Sequence, residues 1–177
     1  CYNFNNATVW FEINIEEGGS LGFDIVPENG TDDFDFAVYG PVTDCANLGM
    51  SIRCSSTNPQ AAGVSANTGL NSTETDLSEG PGGDGNGYLQ ELTVNAGERY
   101  YLLVDRAHGA EGFEINLNGT AKLPETPDYN TVQDLEVCDD DGNDDGFYSF
   151  DLSSHASTII SGHPDSEVNF HASLGDA

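Results

Sequence analysis

The chain has 177 residues with 4 Lys+Arg against 31 Asp+Glu, a net charge of −27. That balance excludes recognition of nucleic acid through its phosphates and disfavours binding to an anionic membrane surface, both of which need Lys and Arg, and it makes a divalent cation the first partner to consider. Hydrophobic residues at 37% and aromatics at 10% supply a core that a disordered acidic chain would lack, and no apolar run is long enough to insert into a membrane.

In chain order, short strands come first. Residues 8–15 alternate, with Phe11, Ile13 and Ile15 on one face. Glu16-Glu17-Gly18-Gly19-Ser20 turns, residues 21–26 alternate again, and residues 34–39 place Phe34, Phe36 and Val38 on one face before Gly40-Pro41 closes the strand. Residues 48–54 are a fourth strand. The polar stretch 55–87, rich in Gly, Asn, Ser and Thr, reads as a long loop, of the kind that is functional or poorly ordered. Residues 88–94 restart the pattern, and 99–105 form the most apolar run, a central strand. Residues 113–118 alternate up to Gly119-Thr120. No segment has a helical apolar period here, so the fold class is all-β, an antiparallel β-sandwich or jelly roll over residues 1–122.

Residues 123–127, with Pro124 and Pro127, read as an extended linker. Residues 128–177 form a partial second β-rich module of small core. It has short strands at 134–138, 147–152 and 168–171, and a short helix over 153–160 capped by Ser153. The chain starts without Met at Cys1 and stops without a closing element, so it is expected to be part of a longer secreted chain. A lipoprotein start is disfavoured because the tether at residues 3–6 is short.

Cys1, Cys45, Cys54 and Cys138 contain no C-x-x-C pair, which argues against a zinc ribbon, and four cysteines allow three pairings. Cys45 and Cys54 are close in sequence and flank a hairpin, so a Cys45–Cys54 disulfide and an oxidising compartment are expected. Cys1 and Cys138 pair with each other or with chain outside this sequence.

For metal, the strongest site is the loop 139–145. Asp139, Asp141, Asn143 and Asp145 occupy alternate positions, and five Asp in seven residues repel one another without a counter-ion. Two departures argue against an EF-hand: Asp144 stands where its glycine belongs, and Phe150 where its last acid belongs. A β-type Ca²⁺ loop or a solvated acidic turn remains. Asp32, Asp33 and Asp35 form a weaker Ca²⁺ cluster at a strand entry, and Asp84 and Asn86 a weaker one still. Catalysis has little support: His108, His155, His163 and His171 are scattered, and no G-x-S-x-G, H-E-x-x-H or P-loop spacing occurs. The visible chain reads as no enzyme. Trp10 and Tyr39, with Tyr88, Tyr100 and Tyr101, are side chains of the kind that stacks on sugars, but packing on the second face of the sandwich is the favoured expectation.

The segments Ala7-Thr8-Val9-Trp10-Phe11-Glu12-Ile13, Asp32-Asp33-Phe34-Asp35-Phe36-Ala37-Val38-Tyr39, Ile52-Arg53-Cys54, Thr68-Gly69-Leu70-Asn71 and Ala96-Gly97-Glu98-Arg99-Tyr100-Tyr101-Leu102-Leu103-Val104 carry a resemblance. With Gly112-Phe113-Glu114-Ile115 and Asn118-Gly119-Thr120, residues 1–122 resemble the pre-peptidase C-terminal-like β-sandwich domains of secreted Bacteroidetes proteins. Val137-Cys138-Asp139-Asp140-Asp141, Asp145-Gly146-Phe147 and Phe150-Asp151-Leu152 resemble the start of a repeat in large flavobacterial surface proteins. The resemblance implies export by type IX secretion, an extracellular cell-surface location, and the class of adhesins and gliding-motility-associated proteins. It also implies occasional Ca²⁺ near strand ends of the sandwich. The expected function is a non-catalytic adhesion or stalk module stiffened by Ca²⁺. The alternatives are an accessory domain of a secreted hydrolase, or a subunit of a surface filament or secretion-associated complex. The expected partners are other modules of the same long chain and a surface glycan or protein ligand, with no nucleic acid and no membrane insertion.

Overall fold

A computed structural model describes residues 7–125, 132, 136, 150–160, 167–171 and 175. The chain divides into two compact units, Cys1–Pro124 and Glu125–Ala177. In the second, the described helix is α2, Ser153–Ile159. Its N-cap is Leu152, without a side-chain cap bond, rather than Ser153. Ser153 instead donates its own amide to Asp151 Oδ1 at 3.0 Å.

The first unit is a β-sandwich. Its strands are β1 Thr8–Asn14, β2 Gly19–Pro27, β3 Asp33–Tyr39, β4 Arg53–Thr57, β5 Thr68–Asn71, β6 Ser78–Gly82, β7 Tyr88–Gln90, β8 Leu92–Val94, β9 Arg99–His108 and β10 Phe113–Gly119. One sheet runs β1-β9-β3-β4-β6; the other runs β10-β2-β5-β7, with β8 also on β2. Pairing is antiparallel except for β4–β6 and β5–β7, which are parallel. The sheets are therefore mixed at one edge, a minor departure from the antiparallel expectation.

Alternation sends one side chain in two between the sheets. Ile13, Phe34, Phe36, Val38, Leu102 and Val104 from the first sheet meet Leu21, Phe23, Ile25, Leu70, Leu89 and Val94 from the second in one core. Phe23 and Phe36 lock the layers edge to face, ring centroids 5.3 Å apart. At one end the Phe113 ring lies tilted against Phe34 at 4.9 Å and meets Phe11 edge-on at 6.2 Å.

The stretch 55–87, expected as a loop, is ordered. It completes β4 and holds β5, β6 and a one-turn helix, α1 Pro59–Ala62. That helix forms because the Asn58 side chain accepts from the Ala61 amide, proline starts the turn and Gly63 ends it at φ 71. Strand β5 sends the fully buried Leu70 into the core, and β6 adds the buried Glu79 side chain. The fourth strand is correspondingly displaced: Cys45–Asn47 is a 3-10 turn, and the strand begins at Arg53. Residues 88–94 split at Glu91, β7 pairing with β5 and β8 with β2. Arg53 fixes that break, donating to the carbonyls of Gln90 at 2.7 Å and Glu91 at 3.3 Å. After β10 the chain is held by a Glu17–Lys122 bridge, and Leu123, expected in the linker, packs against the core.

Candidate functional site

The first sheet turns a second face away from the core, and its register sets side chains in a grid. Trp10, Glu12 and Asn14 on β1 lie beside Leu103, Tyr101 and Arg99 on β9. The β9 residues Leu103 and Tyr101 lie in turn beside Ala37 and Tyr39 on β3. Trp10 and Tyr39 come from strands on either side of β9, yet their rings approach to 5.7 Å at 35°. They lean over the strand between them, where Leu103 is buried beside Ala37 of β3. Cys54 joins the same small cluster. The expected core packing of Trp10 is not found: it sits on the outer face and stays 47% exposed.

Beside the rings the polar members of the grid bind one another. Glu12 accepts from the Tyr101 hydroxyl at 2.8 Å and from Asn14 Nδ2 at 2.9 Å. Arg99 Nε donates to Asn14 Oδ1 at 3.0 Å and lies 3.3 Å from Glu12 Oε1. The bonds from Asn14 and Tyr101 hold the Glu12 carboxyl below its ordinary pKa, helped by the Arg99 charge. These partners leave lone pairs on the carboxylate and N–H donors on Arg99 facing solvent.

The other end of the face is acidic. Asp35 on β3 and Asp105 on β9 are direct cross-strand partners. Burial, then the charges of Asp33 and Asp105, raise the Asp35 pKa to about 7. Asp33 also titrates high because of burial, opposed by a hydrogen bond from Asn58 at 3.0 Å and by the charge of His108. Asp33 Oδ1 and Ser56 Oγ are buried with no hydrogen-bond partner among the described residues.

Of the three acids expected together, Asp33 and Asp35 are joined here by Asp105, whereas Asp32 is engaged elsewhere. Its carboxylate accepts the amides of Glu111 at 2.9 Å and Ala110 at 3.2 Å and so fixes the β9–β10 turn. Among the described residues no group of three or more His, Cys, Asp or Glu side chains is placed to hold a metal ion. The stronger candidates, Asp139, Asp141, Asn143 and Asp145, lie outside the described residues.

Asp84 and Asn86 serve the loop before β7. The Asp84 carbonyl accepts from Thr57 Oγ1 at 2.6 Å, and the Asn86 side chain accepts from the Tyr88 amide at 2.8 Å. The expected Cys45–Cys54 disulfide does not form. Cys45 is free and exposed, whereas Cys54 is buried and disulfide-bonded. Nearness in sequence misleads because Cys45 sits in the 3-10 turn while Cys54 belongs to β4. Sequence reasoning missed Glu12, Arg99 and Asp105, whose only signal is an outward position in strands whose pairing was unknown.

Residues 134–177 match the family described as the Flavobacterium inter-domain disulphide bond domain (FIDD). The match supports a flavobacterial origin for the chain. No curated protein and no solved structure matches it.

Proposed function

We propose that this chain is a non-catalytic module pair from a large flavobacterial cell-surface protein. In this reading it is exported by the type IX route and serves adhesion or forms part of an adhesin stalk. The observation that carries the reading is the order of its parts: a closed β-sandwich runs directly into a segment matching a Flavobacterium domain described by an inter-domain disulphide bond. Such a description suits a chain of modules joined in series. Cys138 is the only cysteine in the matched residues 134–177, so it is the side chain through which this segment is tied to another domain.

Calcium belongs to the same reading, as the counter-ion of the loop 139–145 that stiffens the second unit. The test is cellular and chemical. Deletion of the region encoding both units from a flavobacterial host should reduce attachment to surfaces, and surface labelling of intact cells should reach the module. Peptide mapping of the non-reduced native protein should place Cys138 in a disulfide. Labelling only after lysis, or a free Cys138 thiol, would remove the reading. An accessory domain of a secreted hydrolase is the second reading, favoured by the aromatic and polar outer face; a catalytic domain in the same open reading frame would decide for it.

A further inference from the structure

We infer that the outer face of the first sheet, around Trp10 and Tyr39, binds a neutral polysaccharide; this rests on the surface-module reading and gives that module its ligand class. Three observations carry it.

First, the Trp10 indole is half exposed in an ordered strand and tilted against Tyr39, so a faced ring pair is presented on rigid β1 and β3. The C–H-rich face of a pyranose packs on such a π surface, and the ring edges, the indole N–H and the phenol hydroxyl reach its hydroxyls. Second, the ring pair is continuous with Glu12, Asn14, Tyr101 and Arg99, neighbours in the strand register. Their mutual hydrogen bonds fix them before any ligand arrives, which reduces the side-chain ordering that binding would otherwise require. Glu12, Asn14 and Arg99, none of them buried, keep hydrogen-bonding capacity toward solvent, the mixed donor and acceptor set that sugar hydroxyls need. Third, the chain carries −27 overall, so an anionic polymer is repelled. A protein partner would more often use a larger apolar patch, and among the described residues the exposed apolar surface of this face is one ring pair with a polar border.

Trp10 is the only tryptophan in the chain, so its emission reports on this site alone. The 177-residue protein is titrated with neutral probes (soluble starch, cello-oligosaccharides, xylan, mannan and agaro-oligosaccharides) and with alginate as the anionic control, with calorimetry in parallel. The expected result is a saturable emission shift with at least one neutral glycan and none with alginate. Tyr39→Ala and Asn14→Ala should each weaken the calorimetric affinity at least ten-fold while the thermal midpoint moves by only a few degrees, and Leu117→Ser on the other sheet should leave binding unchanged.

Absence of binding across the neutral panel overturns the inference. So does binding that survives Tyr39→Ala, or binding to alginate that matches the neutral glycans. Recovery of a surface protein cross-linked at Trp10, with no glycan bound, would replace it with a protein-docking face. Surface labelling of intact cells separates the two levels: a labelled protein that binds no glycan leaves the surface-module reading standing, whereas an unlabelled one removes that reading whatever the titrations show.

Discussion

The carboxylate of Glu79, on β6, accepts the amide proton of Gly87 at 2.7 Å, and this contact anchors the turn ahead of β7. The same oxygen accepts the Asn86 amide at 3.0 Å and lies 3.4 Å from Thr57 Oγ1. One buried side chain thus satisfies several donors at the mixed edge of the sandwich. Glu79→Ala strands those donors and should cost about 2–4 kcal/mol, with Glu79→Gln intermediate. Urea unfolding midpoints check the loss. Limited proteolysis should show early cleavage near residues 83–87 in the alanine variant.

Asp35 makes stability depend on pH in an unusual sense. Its folded-state pKa is raised from the ordinary 3.8 to about 7. The folded form therefore holds a proton that the unfolded form has released. The associated stability is fully present below about pH 4 and is lost as pH rises through about 7, by roughly 2–4 kcal/mol. Asp35→Asn should remove that step and raise the thermal midpoint at pH 8 relative to wild type. Melting curves from pH 4 to 8 check it; a parallel fall in both proteins would refute the assignment to Asp35.

The cysteines should behave unequally. Cys45 is exposed and free, so it should react with iodoacetamide in the native state, and Cys45→Ser should change stability by less than about 0.5 kcal/mol. Cys54 is buried and bonded, so Cys54→Ser should cost about 2–5 kcal/mol. Mass spectrometry after native alkylation, with and without reductant, reads both outcomes.

Phe36 is fully buried and packs edge to face on Phe23 across the layers. Phe36→Ala should cost about 3–5 kcal/mol. Gly69→Ala acts by a different route: a Cβ there would collide with the backbone carbonyl of Phe23 and push β5 from β2. Equilibrium denaturation should show both as strongly destabilised, whereas Gly97→Ala, with open space around it, should lose only what its φ of 82° costs an L residue.

Calcium can be assessed by linkage. If the loop 139–145 holds Ca²⁺ in the folded chain alone, excess chelator should lower the melting midpoint of the second unit and added Ca²⁺ should restore it. An unchanged curve in chelator would dismiss the ion.

Much of the sandwich was legible because the strands that cross its middle are half buried. Alternation at Phe34, Phe36 and Val38, or the run from Tyr100 to Val104, follows directly from one face meeting the other sheet. Strands β5 and β6 were not legible. Ser78-Glu79-Gly80-Pro81-Gly82 has no apolar alternation, and it is strand only because β4 offers a backbone edge. The site was less legible for a related reason. Asp35 could be seen to point outward, but its partner Asp105 is known only once β3 is set beside β9. Period puts Trp10 on the outer face but does not distinguish a covered outer face from an open one, so its exposure is not legible in the sequence. For Cys45 and Cys54, sequence separation is no guide to spatial direction: Cys45 is free and Cys54 is bonded elsewhere.

The Glu17–Lys122 bridge sets how the sandwich would carry a pull. The chain enters β1 at Thr8, opposite Asp105, and leaves beside Glu17, just past the far end of the same strand. Tension applied at those two points runs along β1 and loads its seven-residue ladder with β9 in shear, so the bonds resist together rather than opening singly. A module strung between a cell and a surface would then yield abruptly at high force, with the β1–β9 ladder as its mechanical clamp.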